Sequence, residues 1–130
     1  MKKFLIISLA VLAIAMLGTS CSKEPKTSTV NIHVVLPDGA SVPGRIVFYT
    51  DNKADYQKAI DPQAERDLQW VPSDKWETTN EQGLAKILIP MDKSKDMYFL
   101  VRHPLVNQYN GVSTFLFKGT EVSLDLMVGE

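Results

Sequence analysis

The residues from Lys75 to Pro90, KWETTNEQGLAKILIP, constrain the fold more than any other stretch. A threonine-rich strand end runs into the polar turn Asn80, Glu81, Gln82, Gly83, and then into a mostly apolar strand, Leu84 to Ile89. Gly83 suits the positive-φ position that closes a tight turn, and the branched and apolar residues after it suit a pleated, half-buried surface. The stretch predicts a β-hairpin.

The rest of the chain repeats this pattern. From Thr29, the residues Val30, Ile32, Val34 and Leu36 alternate with Asn31 and His33, the period of a first strand. Pro37, Asp38 and Gly39 give a turn, and Pro43 and Gly44 precede a second strand, Arg45 to Thr50, expected to lie beside the first. Further strands are expected at Met97 to His103, Val112 to Lys118 and Glu121 to Val128, with Gly111 and Gly119 marking turns. In the last of them Val122, Leu124, Leu126 and Val128 share one face. Between Asp51 and Asp74 the rhythm breaks into a charged run carrying two prolines, with room for a short helix at Ala54 to Ile60 and a short strand at Leu68 to Val71. It is too long for a hairpin connection. About seven strands without a long amphipathic helix predict an all-β fold: a single antiparallel β-sandwich, Ig-like or prealbumin-like, with one long insertion.

The N-terminus carries the sharpest functional signal. Lys2 and Lys3 precede a fourteen-residue apolar run, Phe4 to Leu17, and the small residues Gly18, Thr19 and Ser20 lead to Cys21. The run is shorter than the ~20 residues of a membrane-spanning helix, so cleavage is expected rather than retention. Residues 1–20 resemble a bacterial lipoprotein signal peptide of the Bacteroides-group type, which implies that Cys21 becomes a lipidated N-terminus. Residues 21–28 read as a polar tether and 29–130 as one domain. No aspartate follows Cys21, and the resemblance therefore implies a lipid anchor in the outer membrane rather than the inner one.

Without Lys2 and Lys3 the chain has 12 basic against 15 acidic residues, a net charge of −3. That balance argues against nucleic acid as a partner, which calls for a concentrated surplus of Lys and Arg. Cys21 is the only cysteine, so no intrachain disulfide forms and the fold rests on burial.

The series VNIHVVLPDG, VPGRIVFYT, TTNEQGLAKILIP, YFLVRH and VSLDLMV resembles the transthyretin-like, or carboxypeptidase-regulatory-like, domains of bacterial surface proteins. The most specific part is Thr78 to Ala85. The resemblance implies a fold and a compartment and transfers no catalytic residue. A purine-catabolic hydrolase of similar fold ends in Tyr-Arg-Gly-Ser, whereas this chain ends in Met127, Val128, Gly129, Glu130. A related sandwich family forms Lys-Asn isopeptide bonds, and the first strand here lacks the lysine.

Catalytic and metal chemistry find no local motif. His33 and His103 are seventy residues apart, and the short His and Cys spacings of zinc sites are missing. Asp51, Asp55, Asp61, Glu65 and Asp67 crowd the insertion without the order of a calcium loop. There is no Gly-x-Ser-x-Gly elbow and neither histidine has an evident acid partner, so no enzyme activity, metal or cofactor is expected. Trp70, with Tyr56 upstream, is the candidate ligand-binding pair, because aromatic faces on a loop stack on sugar rings or anchor a protein. Trp76, entering the central hairpin, is expected in the core. The expected protein is a non-catalytic binding or accessory module with a membrane anchor and an envelope protein or glycan partner. The alternatives are a structural subunit that assembles by strand addition and, behind it, a small hydrolase.

Overall fold

A computed structural model of the chain describes residues 26–104 and 106–129. The expected lipid anchor, Cys21, and the signal segment lie outside them. The elements are β1 (Lys26–Val35), β2 (Ile46–Thr50), helix α1 (Lys53–Ile60), β3 (Trp76–Thr78), β4 (Leu84–Met91), β5 (Lys95–Arg102), β6 (Tyr109–Leu116) and β7 (Glu121–Met127). They form a three-stranded sheet, β4-β1-β7, packed on a four-stranded sheet, β3-β2-β5-β6. The expected seven-strand sandwich is present. Every pairing is antiparallel except that of β1 with β7, which is parallel. No helix among the described residues is long and apolar enough to cross a membrane.

The alternating strands meet across the core as their patterns demand. Val30, Ile32 and Val34 of β1, Ala85, Ile87 and Ile89 of β4, and Leu126 with Val128 face Val47, Met97, Phe99, Val101 and Leu116 of the other sheet. Each large side chain fully buried in this way contributes about 1.5 to 3 kcal/mol relative to exposure.

Several local expectations change. The turn at Asn80 to Gly83 forms as read, with Gly83 N–H donating to Asn80 O at 2.9 Å and Gly83 at φ +75°. Its flanking strands, however, do not pair with each other: β3 pairs with β2 and β4 with β1. The cause is Thr79, which is buried. Its hydroxyl accepts from Arg45 N–H at 2.8 Å and donates to Val42 O at 2.9 Å, holding the end of β3 at the entry to β2. Gly83 O meanwhile accepts from Val34 N–H at 2.9 Å, holding β4 on β1. The stretch is a corner between sheets.

Nor are β1 and β2 neighbours. After Val35 the chain doubles back on β1, with Val42 N–H donating to Val34 O at 2.9 Å, and Pro43 with Gly44 at φ +71° sends it to the second sheet. The first strand begins at Lys26, three residues before the expected start, because Ser28 is buried in hydrogen bonds to the Phe117–Gly119 turn. Leu68 to Val71 forms turns, not a strand: Trp70 N–H donates to Asp67 O at 3.0 Å, and Pro72 follows.

The insertion packs on the outer face of the four-stranded sheet, so that β5 is buried on both faces from Met97 to Val101. Helix α1 is capped by Asn52, whose Oδ1 accepts from Asp55 N–H at 3.2 Å. A helix of eight residues is marginal alone and depends on packing. Ala59, Tyr56, Ile60 and Trp70 cover Phe48, Leu100 and Tyr109. Gly111, expected in a turn, lies inside β6; a Cβ there would come within 2.6 Å of Tyr56 Cε1 and 2.7 Å of Leu100 Cδ2. Its missing side chain is what lets the helix approach the sheet.

The tryptophans exchange their expected places. Trp70 packs in this second cluster, whereas Trp76, opposite Phe48 on the short edge strand β3, is 53% exposed. Trp70→Ala is therefore expected to cost about 2 to 4 kcal/mol in a urea titration, and Trp76→Ala less than about 1 kcal/mol. Gly111→Val should undock α1 and destabilise the domain by at least about 2 kcal/mol. Equal effects for the two tryptophans would contradict this packing.

Candidate functional site

At the end of the four-stranded sheet where β2 begins, β5 ends and β6 begins, a cleft of about 480 Å³ opens beside the insertion. Each wall comes from a different stretch of chain. Ile46 and Phe48 come from β2, Leu68, Trp70 and Val71 from the insertion, and Val106 and Tyr109 from the β5–β6 connection and its exit. Ile46, Leu68, Val71 and Val106 are exposed, Leu68 by 75%, so the cleft presents apolar surface to solvent. Arg45 and Arg102 also line it, and no Asp or Glu among the described residues does. Neither arginine belongs to the ion pairs found among the described residues.

Arg66 holds this wall in place. Its Nη1 donates to the carbonyls of Lys58 and Asp61, and its Nη2 to that of Asn107, each at 2.7 Å. Asn107 Nδ2 returns a bond to Arg66 O at 3.0 Å, and Gln108 Nε2 donates to Ile60 O at 3.1 Å. One guanidinium thus stitches the helix end, the insertion and the β5–β6 connection together, and charge-assisted bonds of this kind are among the stronger ones. Trp70 stands over Tyr109 edge to face at 6.0 Å, takes the Lys58 ammonium over its ring at 4.8 Å, and accepts Tyr109 Oη at its carbonyl at 3.3 Å.

Of the two residues expected to bind a ligand, Trp70 lines the cleft and Tyr56 does not. Tyr56 lies under the helix, stacked on Tyr98 with centroids 4.6 Å apart. Burial pushes both the Tyr56 and Tyr109 hydroxyls above the ordinary phenol range; repulsion from an ionised Tyr98 adds to the first shift and a hydrogen bond with Ser113 opposes it, while the charges of Arg102 and Arg66 oppose the second. The acids of the insertion do not gather. Asp51 accepts from Lys95 Nζ at 2.8 Å, which holds its carboxyl below the usual carboxylate range, and Asp61 accepts from Gln63 N–H. No group of three or more metal-ligating side chains occurs among the described residues.

One constellation escapes any reading of local spacing. On the outer face of the three-stranded sheet, His33 Nε2 lies 2.7 Å from Ser41 Oγ while its Nδ1 lies 3.5 Å from Asp125 Oδ1. The histidine therefore has an acid partner after all, brought by the parallel pairing of β1 with β7 in register His33 with Asp125. The order hydroxyl, imidazole, carboxylate is that of an activated nucleophile. The carboxylate is 79% exposed, and the three residues line none of the cavities described. The trio shares the order of such a relay, but its imidazole-to-carboxylate separation of 3.5 Å is longer than the hydrogen bond a relay needs, and it lines none of these cavities.

The tyrosines give a pH dependence. Their folded-state values stand above the unfolded value of about 10, so the unfolded chain releases these protons first as pH rises. Stability is then full below about pH 10 and is lost above it. Urea midpoints should fall in that range, and Tyr56→Phe should flatten the fall. A midpoint independent of alkaline pH would contradict the burial of these hydroxyls.

No protein-family model matches the chain, and no curated protein matches it. Among solved structures it is similar to chlorocatechol 1,2-dioxygenase from Pseudomonas putida, with a TM-score of 0.54 and 11% identity, over 85% of this chain and 63% of that one. It is also similar to (S)-allantoin synthase, with a TM-score of 0.51 and 9% identity, over 88% of this chain and 45% of that one. The chain spans less than two thirds of either protein. At such identities the likeness is one of fold, and the fold is that of a β-sandwich.

Proposed function

We propose that this is a lipid-anchored protein of the bacterial cell envelope, held in the outer membrane through Cys21, whose transthyretin-like sandwich is a non-catalytic binding or accessory module of an outer-membrane complex. The observation that carries the binding role is the cleft. Exposed apolar side chains and two arginines without an opposing acid favour a ligand that joins an apolar body to an anionic group, presented by an envelope protein or glycan. The transthyretin-like assignment rests on the strand and turn series around Thr78 to Ala85, and the sandwich similarities support it at the level of fold.

Strand addition is the weaker role. The edge strand β3 has three residues, too few to template a partner, and the edge strand β4 carries Pro90; the longer edges β6 and β7 lie on the same side of the sandwich, where Asn110 Nδ2 of β6 already donates to Met127 O of β7 at 3.0 Å. The hydrolase role would rest on Ser41, His33 and Asp125, which have no cavity beside them.

Three measurements test this reading. Mass spectrometry of the mature protein should find acyl groups on a Cys21 N-terminus, and Cys21→Ala should leave an unlipidated precursor. Anilinonaphthalene sulfonate, an anionic apolar dye, should bind the cleft, several-fold more weakly in Arg102→Gln and Leu68→Ser and unchanged in Lys86→Gln. A fluorophosphonate should leave Ser41 unlabelled; a stoichiometric adduct there would replace the binding role with a hydrolytic one.

A further inference from the structure

The end of the sandwich opposite the cleft has its own exposed apolar surface. Phe115 and Phe117, at the exit of β6, are 50% and 59% exposed and pack against each other edge to face at 5.1 Å. They lie beside the place where the described chain begins. Ser28 Oγ donates to Phe117 O at 2.9 Å and accepts from Gly119 N–H at 2.8 Å, and the Lys26 side chain runs along Gly119, where an added Cβ would come within 3.1 Å of its Cδ. The turn after β4 meets the same end, since Lys26 pairs with Met91 and Lys118 N–H donates to Ser94 Oγ at 2.9 Å.

We propose that Phe115 and Phe117 insert into the lipid surface that holds the anchor, so that the domain stands on this end with its cleft turned away from the bilayer. The inference rests on lipidation of Cys21. Five residue steps separate Cys21 from Lys26, a reach of at most about 18 Å even when fully extended. The cleft lies at the other end of β5 and β6, an eight-residue strand or about 26 Å away. A lipidated Cys21 therefore tethers the end that carries the phenylalanines, and their insertion is what would stand the domain upright with the cleft turned away.

Charge does not drive the contact. The strand ends and turns here carry Lys26, Lys93 and Lys118 against Asp92, Asp96 and Glu121, equal numbers of each sign, with Lys118 Nζ donating to Asp92 O at 3.3 Å. Aromatic rings with an apolar body favour the interface of a bilayer, and burial of this kind is insensitive to salt. The partner is accordingly a phospholipid surface without a required headgroup charge.

The test uses the full lipidated protein in vesicles of phosphatidylethanolamine and phosphatidylcholine, with the phosphatidylcholine brominated on its acyl chains. Bromine quenches only an indole at lipid depth. The fluorescence added by Phe117→Trp should fall by half or more, whereas that added by Leu68→Trp, at the cleft, should not change. The quenching should persist at high salt. An unquenched Phe117→Trp protein whose Cys21 carries acyl mass overturns the docking and leaves the anchor standing. An N-terminus without acyl mass removes the anchor, and the docking with it. Quenching that disappears at high salt overturns the apolar contact.

Discussion

The buried hydroxyl of Thr79 is the interaction on which the arrangement of this sandwich depends. It bonds to both Val42 and Arg45, while its own backbone N–H donates to Arg45 O at 2.8 Å and its carbonyl accepts from Gly44 N–H at 3.1 Å. A buried side chain that satisfies one partly buried donor and one partly buried acceptor, with the backbone of the same residue making two more bonds, leaves the segment one place to go. β3 is fixed to the second sheet, the tight turn follows at once, and β4 returns to the first. The two sheets are joined at this corner.

Much of the fold was legible in the sequence, and the limit of that legibility has a physical cause. Alternation along β1 and β7 identified their buried faces, because a period of two assigns each side chain to one side of a sheet, whereas β4, apolar on both faces, gave only a strand. Alternation does not say which strand lies alongside. That choice depends on bonds such as those of Thr79 and of Ser28, made between residues far apart in the chain. Gly111 did carry a readable signal, since a glycine inside an apolar strand marks a close approach, but placing it in a turn hid the helix it accommodates.

The cleft was less legible than the fold. Trp70 was singled out from sequence and lines it; Arg45, Arg102 and Arg66 were not. A single arginine in a polar run is unremarkable until its partners are known, and the partners of Arg66 are three backbone carbonyls, two at the end of helix α1 and one in the β5–β6 connection. The exchange between the tryptophans has a similar origin. Residue type favours burial for both, but an edge strand of three residues leaves Trp76 uncovered, while the insertion folds Trp70 against Tyr109. The trio of Ser41, His33 and Asp125 depends on the register of β1 with β7 for its carboxylate and on the fold-back after Val35 for its hydroxyl.

That parallel register also orders events in time. β1 is the central strand of its sheet, and one of its two partners, β7, is the last strand among the described residues. No local hairpin can complete this sheet, so chain-spanning loop closure precedes its final hydrogen bonds, as in the slower-folding β topologies. A growing polypeptide emerging from a ribosome would hold β1 incompletely paired until β7 had been made, so this sheet stays open along one side of its central strand while the six strands before β7 emerge.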